Sequence, residues 1–187
     1  MKKKNDMRTI VLVISLLVLV GCKSSDPTIT EAEAQRTKML IDNKNYELDM
    51  SWATPLASNA MNQISNANLL PVDSRTGRIN LMGSSSYIRV KGDSLEVYLP
   101  YFGTHQLGHR PGDTNSAIQF VGEPDKYEAS YNEKKELTQI YFRMKERTEQ
   151  YDVNIRVFKN GNANVNVNST HRNSISYTGK LKEIEEK

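Results

Sequence analysis

The chain has 187 residues, of which 37% are hydrophobic, and this length and composition suit one globular domain of ordinary size. Its net charge is +3, but residues 1–21 carry the whole excess, so residues 22–187 are neutral and have no global electrostatic reason to bind nucleic acid. The single cysteine, Cys22, excludes an intrachain disulfide and a cysteine-based metal cluster.

The N-terminus has the pattern of a bacterial export signal. A basic segment at residues 2–8 precedes an apolar run at residues 10–20, which would form a helix of about 16 Å and is too short to span a bilayer. The sequence LVGC at residues 19–22 resembles the lipobox of bacterial lipoproteins. This resemblance implies that Cys22 is acylated and that the chain is cleaved before it. An ordinary secreted protein with a stray thiol, or an uncleaved anchor, is the alternative.

These patterns divide the chain into three parts. We predict a lipoprotein signal peptide at residues 1–21, a lipidated tether at residues 22–29 and a single β-rich domain at residues 30–187. Asp26 alone is a poor match to the acidic run that exports some lipoproteins to the cell surface. The predicted location is therefore the cell envelope, on an outer membrane and facing the periplasm, with the cell surface as the alternative.

The domain is predicted to begin with a short helix and a strand. Thr30 and Glu33 form a capping-box pattern, which favours a helix that ends near Ile41. Apolar and polar residues then alternate over residues 46–52, as in a half-buried strand. Helical spacing of apolar residues predicts a second helix over residues 55–67, with a proline near its first turn.

A hairpin is predicted around residues 92–93, where Gly-Asp separates two alternating runs. A two-residue turn of type I′ or II′ places Val90 opposite Leu95 on one face. The same register places Arg89 opposite Glu96 on the other face. Every cross-strand pair is then chemically matched, which favours this register over a shifted one.

The rest of the chain alternates with a period of two. Predicted strands carry their apolar residues at Ile118 and Phe120; at Tyr127, Ala129 and Tyr131; at Ile140, Phe142 and Met144; at Tyr151, Val153, Ile155 and Val157; at Ala163, Val165 and Val167; and at Ile175, Tyr177 and Leu181. About nine strands in all predict a mainly β fold, an antiparallel meander curled into a sandwich or partly closed barrel with a short N-terminal helix. The outward positions are polar, and four of them in one strand are asparagines at residues 162–168, which we interpret as a solvated face.

The turn at residues 159–161 has two possible registers. Its Asn-Gly pair favours a two-residue type I′ turn, which would place Ile155 opposite Asn166. A three-residue loop places Ile155 opposite Val165 instead and keeps the apolar residues on one face. Burial of a large apolar side chain is worth about 1.5–3 kcal/mol, so we predict the second register, with Gly161 at positive φ as a bulge.

The segment after Leu99 is the candidate binding loop, because it is long and rich in glycine. It contains Tyr101, Phe102, His105 and His109. The alternative is structural, with the two aromatic residues filling one end of the core. The histidines have the i, i+4 spacing of a helical zinc site, but nearby glycines and a proline oppose a helix, so we predict neither a metal site nor a cofactor.

Several strings together resemble the domain of unknown function 4251 family of exported bacterial lipoproteins. The most specific is LPYFG at residues 99–103. The others are VKGD at 90–93, ATPL at 53–56, RINL at 78–81, IQF at 118–120 and ISYTG at 175–179. The resemblance covers about residues 33–182 and implies a β-rich envelope domain behind a lipobox. It implies no activity and no catalytic residue.

Three hypotheses about function follow. A non-catalytic envelope module that binds a protein, glycan or lipid, or has a structural role, leads because no nucleophile elbow, P-loop or dinucleotide motif is present. A carrier that holds an apolar ligand inside the curled sheet is the second, and a hydrolase without a recognisable motif is the third. The predicted contact with the membrane is the lipid on Cys22, and no nucleic-acid partner is predicted.

Overall fold

The computed structural model describes residues 31–56, 77–103, 106 and 117–184. These residues form one helix and ten strands in the order α1 (Glu31–Asp42), β1 (Asn45–Pro55), β2 (Ile79–Asn80), β3 (Tyr87–Lys91), β4 (Ser94–Leu99), β5 (Ile118–Gly122), β6 (Lys126–Asn132), β7 (Leu137–Glu146), β8 (Glu149–Phe158), β9 (Asn162–Ser169) and β10 (Ile175–Lys182). All strand pairs are antiparallel, which confirms the predicted mainly β class.

The strands form one sheet that curls into a half-barrel. Its order is β5-β4-β3-β1-β10-β9-β8-β7-β6, and the short β2 pairs with β1 beside β3. The two edge strands, β5 and β6, follow each other in the chain, and β5 also contacts β7. The hydroxyls of Tyr46 on β1 and Tyr127 on β6 are hydrogen bonded at 3.0 Å across the inside of the curl. Of the two predicted forms, the partly closed barrel is therefore the correct one.

The concave side of the half-barrel is filled by apolar side chains. They form one cluster that includes Tyr46, Leu48, Ile88, Leu99, Ile140, Phe142, Val153, Val165 and Tyr177, each at most 1% exposed. Alternate residues of the same strands face outward, as the period of two requires. The predicted apolar faces of β7 to β10 are confirmed, whereas the edge strand β6 leaves Ala129 and Tyr131 exposed.

The β3–β4 hairpin has the predicted register. Val90 pairs with Leu95 and Arg89 pairs with Glu96, and the guanidinium of Arg89 donates to the Glu96 carboxylate at 2.8 Å. Gly92 has a φ of 61°, as a turn of this kind requires. The local sequence alone therefore specifies this part of the sheet.

The β8–β9 turn also has the register that keeps apolar residues on one face. Ile155 pairs with Val165, and Gly161 has a φ of 76°. The amide of Gly161 donates to the carbonyl of Phe158 at 2.9 Å, which closes a type I turn before the bulge. Burial of the strand faces thus overrules the turn that Asn-Gly would favour by itself.

The predicted second helix is wrong at its start. Pro55 is the last residue of β1, where it is buried and pairs with Ile175, so the chain is extended at this point. A proline lacks the N–H that a sheet ladder uses and is tolerated at the end of a strand. Residues 57–67 of that prediction lie outside the described residues. The tenth strand, β2, has only two residues and was not predicted.

Helix α1 lies across one end of the half-barrel. It begins and ends within a residue of its predicted bounds and buries Ile41 in the core. The hydroxyl of Thr37 donates to the carbonyl of Lys159 at 3.3 Å, so the helix contacts the β8–β9 turn. Lys44 ends the helix at a φ of 48°, a left-handed conformation that glycine usually adopts. The described part of the chain holds no helix with the length and apolar character of a membrane span.

Candidate functional site

The structure fixes the start of the candidate binding loop by packing. Tyr101 is only 4% exposed, and its hydroxyl donates to the carbonyl of Asn173 at 3.1 Å. Phe102 is half-buried against the core cluster. These positions agree with the structural alternative for the two aromatic residues. His105 and His109 lie outside the described residues, as does Cys22.

A cluster of tyrosines around one ion pair holds this end of the half-barrel together. Arg172, in the β9–β10 turn, donates to the Glu149 carboxylate at 3.0 Å, and both side chains are at most 15% exposed. The Arg172 guanidinium lies 5.2 Å from the ring centre of Tyr101 and 5.9 Å from that of Tyr151. Cation–π contact and the ion pair together stabilise the arginine, which fixes the turn against Tyr101.

The titratable groups of this cluster are held in single protonation states. Burial raises the pKa values of Tyr151 and Tyr177, so both phenols stay neutral. Burial also opposes the charge of Glu149, but hydrogen bonds from Ser169, Tyr151 and Arg172 outweigh it and lower the pKa of that carboxyl. Each shift moves the pKa of its group further from neutral pH. The cluster is therefore suited to holding structure and poorly suited to proton transfer.

A second feature covers the outside of β6 to β10, and we call it the polar face. It consists of the outward side chains that line a shallow groove of about 570 Å³. These side chains are Glu128 and Ser130 on β6, Gln139 and Tyr141 on β7, Asn154 and Arg156 on β8, Asn164 and Asn166 on β9, and Ser176 and Thr178 on β10. The groove is also lined by Ile140, Ile155, Val165 and Tyr177, whose side chains are buried in the core.

The pairing of the strands arranges the polar face in two rows. One row joins Thr178, Asn164, Arg156, Gln139 and Ser130, each directly opposite the next on the neighbouring strand. The other row joins Ser176, Asn166, Asn154, Tyr141 and Glu128 in the same way. Neighbouring strands are about 4.8 Å apart, so each row presents a polar group at that interval.

One part of the polar face is internally bonded and another part is free. The amide nitrogen of Asn166 donates to the Ser176 hydroxyl at 3.1 Å, and Tyr141 donates to Asp152 beside the groove. By contrast, four side chains near the middle of the face make no hydrogen bond or ion pair with any residue that the structure describes. They are Gln139, Asn154, Arg156 and Asn164. The free groups can therefore accept a ligand without breaking an existing bond.

Part of this face can be predicted from the sequence, but its arrangement cannot be predicted from one strand. The alternating asparagines of β9 indicate a solvated face, and a single strand shows nothing of its neighbours. The signal lies in the turn at residues 159–161, whose register already places Arg156 opposite Asn164 and Asn154 opposite Asn166. Continuing that register through β7 would have placed Gln139 and Tyr141 in the same rows.

Within the described ranges, no group of three or more histidine, cysteine, aspartate or glutamate residues is placed to hold a metal ion. His171, the one histidine in those ranges, bonds through its ring to the Thr170 hydroxyl at 2.8 Å. The prediction that His105 and His109 form no metal site stays a prediction, because neither residue is described.

Comparisons with known proteins concern the family and the fold. Residues 29–181 match the family model described as Domain of unknown function (DUF4251). The fold is similar to the crystal structure of a DUF4251 family protein from Bacteroides eggerthii DSM 20697, with a TM-score of 0.52 and 8% sequence identity. The similarity covers 81% of this chain and 88% of that chain, and at this identity it shows the fold alone. No curated protein matches the sequence.

Proposed function

Since the chain belongs to the DUF4251 family, whose description names no activity, we propose from its own residues that it is a lipid-anchored, non-catalytic binding module of the bacterial cell envelope. The lipid on Cys22 holds it to the outer membrane, facing the periplasm. The polar face of β6 to β10 contacts its partner. The export signal and the lipobox support the anchor, and the groove supports the binding role.

The observation that carries the binding role is the set of four free side chains at the centre of the groove. Three of the four, Gln139, Asn154 and Asn164, are uncharged amides, each of which both donates and accepts hydrogen bonds. Gln139 and Asn164 lie on either side of Arg156 in one row, and Asn154 lies in the neighbouring row. Such an array can bind one extended partner through several hydrogen bonds at once.

Two observations rank binding above the other hypotheses. The interior that a carrier would need for its ligand is occupied by the core side chains, including Phe142 and Tyr177 at 0% exposure. The Glu149 and Tyr151 pKa values are shifted away from neutral pH, which favours no general acid or base there. A hydrolase would need a cleft whose groups shift the other way.

Recovery of a partner from detergent-solubilised envelope tests the proposal. We expect the wild-type protein to retain an envelope component that the Gln139→Ala/Asn154→Ala variant loses. Both side chains are exposed and free to bind that component, so their removal takes away its contacts. The matched control is Gln35→Ala/Asn45→Ala, which removes the same two residue types from exposed positions outside the groove.

A third variant separates the polar face from the loop after Leu99. His105→Ala/His109→Ala should recover the component as the wild type does. Equal recovery by the wild type and the Gln139→Ala/Asn154→Ala variant would contradict the proposal, and loss only in the histidine variant would move the site to the loop.

A further inference from the structure

We propose that the polar face binds an uncharged glycan chain, laid across β7, β8 and β9. This inference rests on the proposed function and names the chemical class of its ligand. Four properties of the groove carry it: its amide groups, its charge balance, the absence of exposed large apolar residues from its described lining, and the regular spacing of its rows.

The amide groups match the hydrogen-bonding chemistry of sugar hydroxyls. A primary amide offers two donors and one acceptor oxygen, and a hydroxyl also both donates and accepts. Gln139, Asn154 and Asn164 therefore can each pair with adjacent hydroxyls of one ring. Asn166 is held by its bond to Ser176, so part of the array is already oriented before a ligand arrives.

The charge balance of the groove favours an uncharged ligand. Its lining contains one acidic side chain, Glu128, and one basic side chain, Arg156. Glu128 also pairs with Lys126 at 2.8 Å beside the groove. An anionic polymer would need an excess of basic groups, and a cationic ligand would need an excess of acidic groups.

The apolar side chains of the surface argue against a protein partner at this face. Protein interfaces depend on a few large apolar or aromatic side chains at their centre. In the described ranges, the exposed large apolar residues are Met39, Leu56, Met82, Val121 and Tyr131. None of these five residues lines the groove.

The spacing of the rows fits an extended chain of sugar rings. Arg156 lies opposite both Asn164 and Gln139, so three successive strands present polar groups along one line. The step of about 4.8 Å between strands is close to the size of one sugar ring. A glycan that crosses the strands can therefore place one sugar ring over each strand. The sheet surface between the outward side chains can also contact the glycan.

Affinity electrophoresis in native gels tests this inference. The full-length protein is run in a polyoxyethylene detergent, because a glycoside detergent would compete for the binding site. The gels are run at alkaline pH, because residues 22–187 carry no net charge at pH 7. The gels contain hydroxyethyl cellulose, galactomannan, arabinoxylan or, as the anionic comparison, polygalacturonate. We expect at least one neutral polysaccharide to retard the wild-type protein and polygalacturonate to leave its mobility unchanged.

Two variants place the binding at the polar face. Gln139→Ala/Asn154→Ala should weaken the retardation about tenfold or more, as expected when several hydrogen bonds are lost. Gln35→Ala/Asn45→Ala should be retarded like the wild type. A melting temperature equal to that of the wild type shows that the Gln139→Ala/Asn154→Ala variant is folded. If that variant does not fold, Asn154→Asp replaces it, because this change adds a negative charge and removes two hydrogen-bond donors.

The outcomes separate this inference from the proposed function. Retardation by none of the neutral polysaccharides, or only by polygalacturonate, overturns the glycan. If envelope recovery still depends on Gln139 and Asn154 in that case, the binding module stands with a partner of another class. If recovery is also independent of both residues, the inference and the proposed function fail together.

Discussion

Glu149 and Arg172 form the least exposed of the ion pairs within the described ranges, and their contacts extend to Tyr101 and Tyr151. The pair joins β8 to the β9–β10 turn, and that turn holds Tyr101 through the Asn173 carbonyl. Removal of the Glu149 charge would deprive Arg172 of this carboxylate in a mostly buried position. Such a loss usually destabilises a protein more than a neutral hydrogen bond would.

The Glu149→Gln variant should therefore lose about 2–3 kcal/mol of stability at neutral pH. Because folding lowers the pKa of Glu149 below its ordinary value of 4.5, the stability from its charge is present above that value and disappears as the pH falls through the folded pKa. The difference between wild type and variant should thus shrink in acid. Urea unfolding at neutral and acidic pH measures it.

Glu133→Gln is the control for this measurement, because Glu133 is exposed in the β6–β7 turn. Its stability should stay within about 0.5 kcal/mol of the wild type at both pH values. A difference for Glu149→Gln that is small at neutral pH, or that grows in acid, would contradict the role assigned to the ion pair.

The proposed location of the protein depends on Cys22. The Cys22→Ala variant should lose palmitate labelling and remain uncleaved by the lipoprotein peptidase, since the thiol is the predicted acceptor of the lipid. Ser24→Ala, two residues further on, should be labelled and cleaved normally. Labelling that persists in Cys22→Ala would exclude this residue as the anchor.

At the scale of elements, alternation of apolar and polar residues predicts strands well, because one face of this sheet packs in the core and the other faces solvent. A slip of one residue would move Ile155 and Val157 into solvent, so the register at Gly161 follows from burial. The end of β1 was mispredicted because the apolar residues after Pro55 happen to have helical spacing. Pro55 pairs with Ile175, a residue 120 positions away, and no local pattern contains that contact.

The arrangement of the polar face can likewise be predicted only in part, because it depends on which strands are neighbours in the sheet. Register within β7, β8 and β9 can be counted from their turns, so three of the five members of each row can be predicted from the sequence. The placement of β10 beside β1, which brings Thr178 opposite Trp52, depends on pairing between the two ends of the domain. To identify the outward side chains that lack a hydrogen-bond partner, the positions of the atoms are needed.

At the scale of the whole molecule, the half-barrel has a filled interior and carries the polar face on its outer surface. Helix α1 and the start of the described chain lie at one end, by the β8–β9 turn. The ion pair of Glu149 and Arg172 lies at the other end, by Tyr101. The polar face lies on the wall between them, so the proposed anchor near the N-terminus would leave it accessible.

The side-chain amide resonances of the full-length protein in detergent micelles test the role of the polar face most directly. Soluble oligosaccharides with the backbones of the three neutral polysaccharides are added to ¹⁵N-labelled protein. We predict that the amide signals of Gln139, Asn154 and Asn164 shift with ligand concentration, while those of Gln35 and Asn45 stay in place. Shifts confined to residues outside the groove, or none at these three amides, would contradict the account.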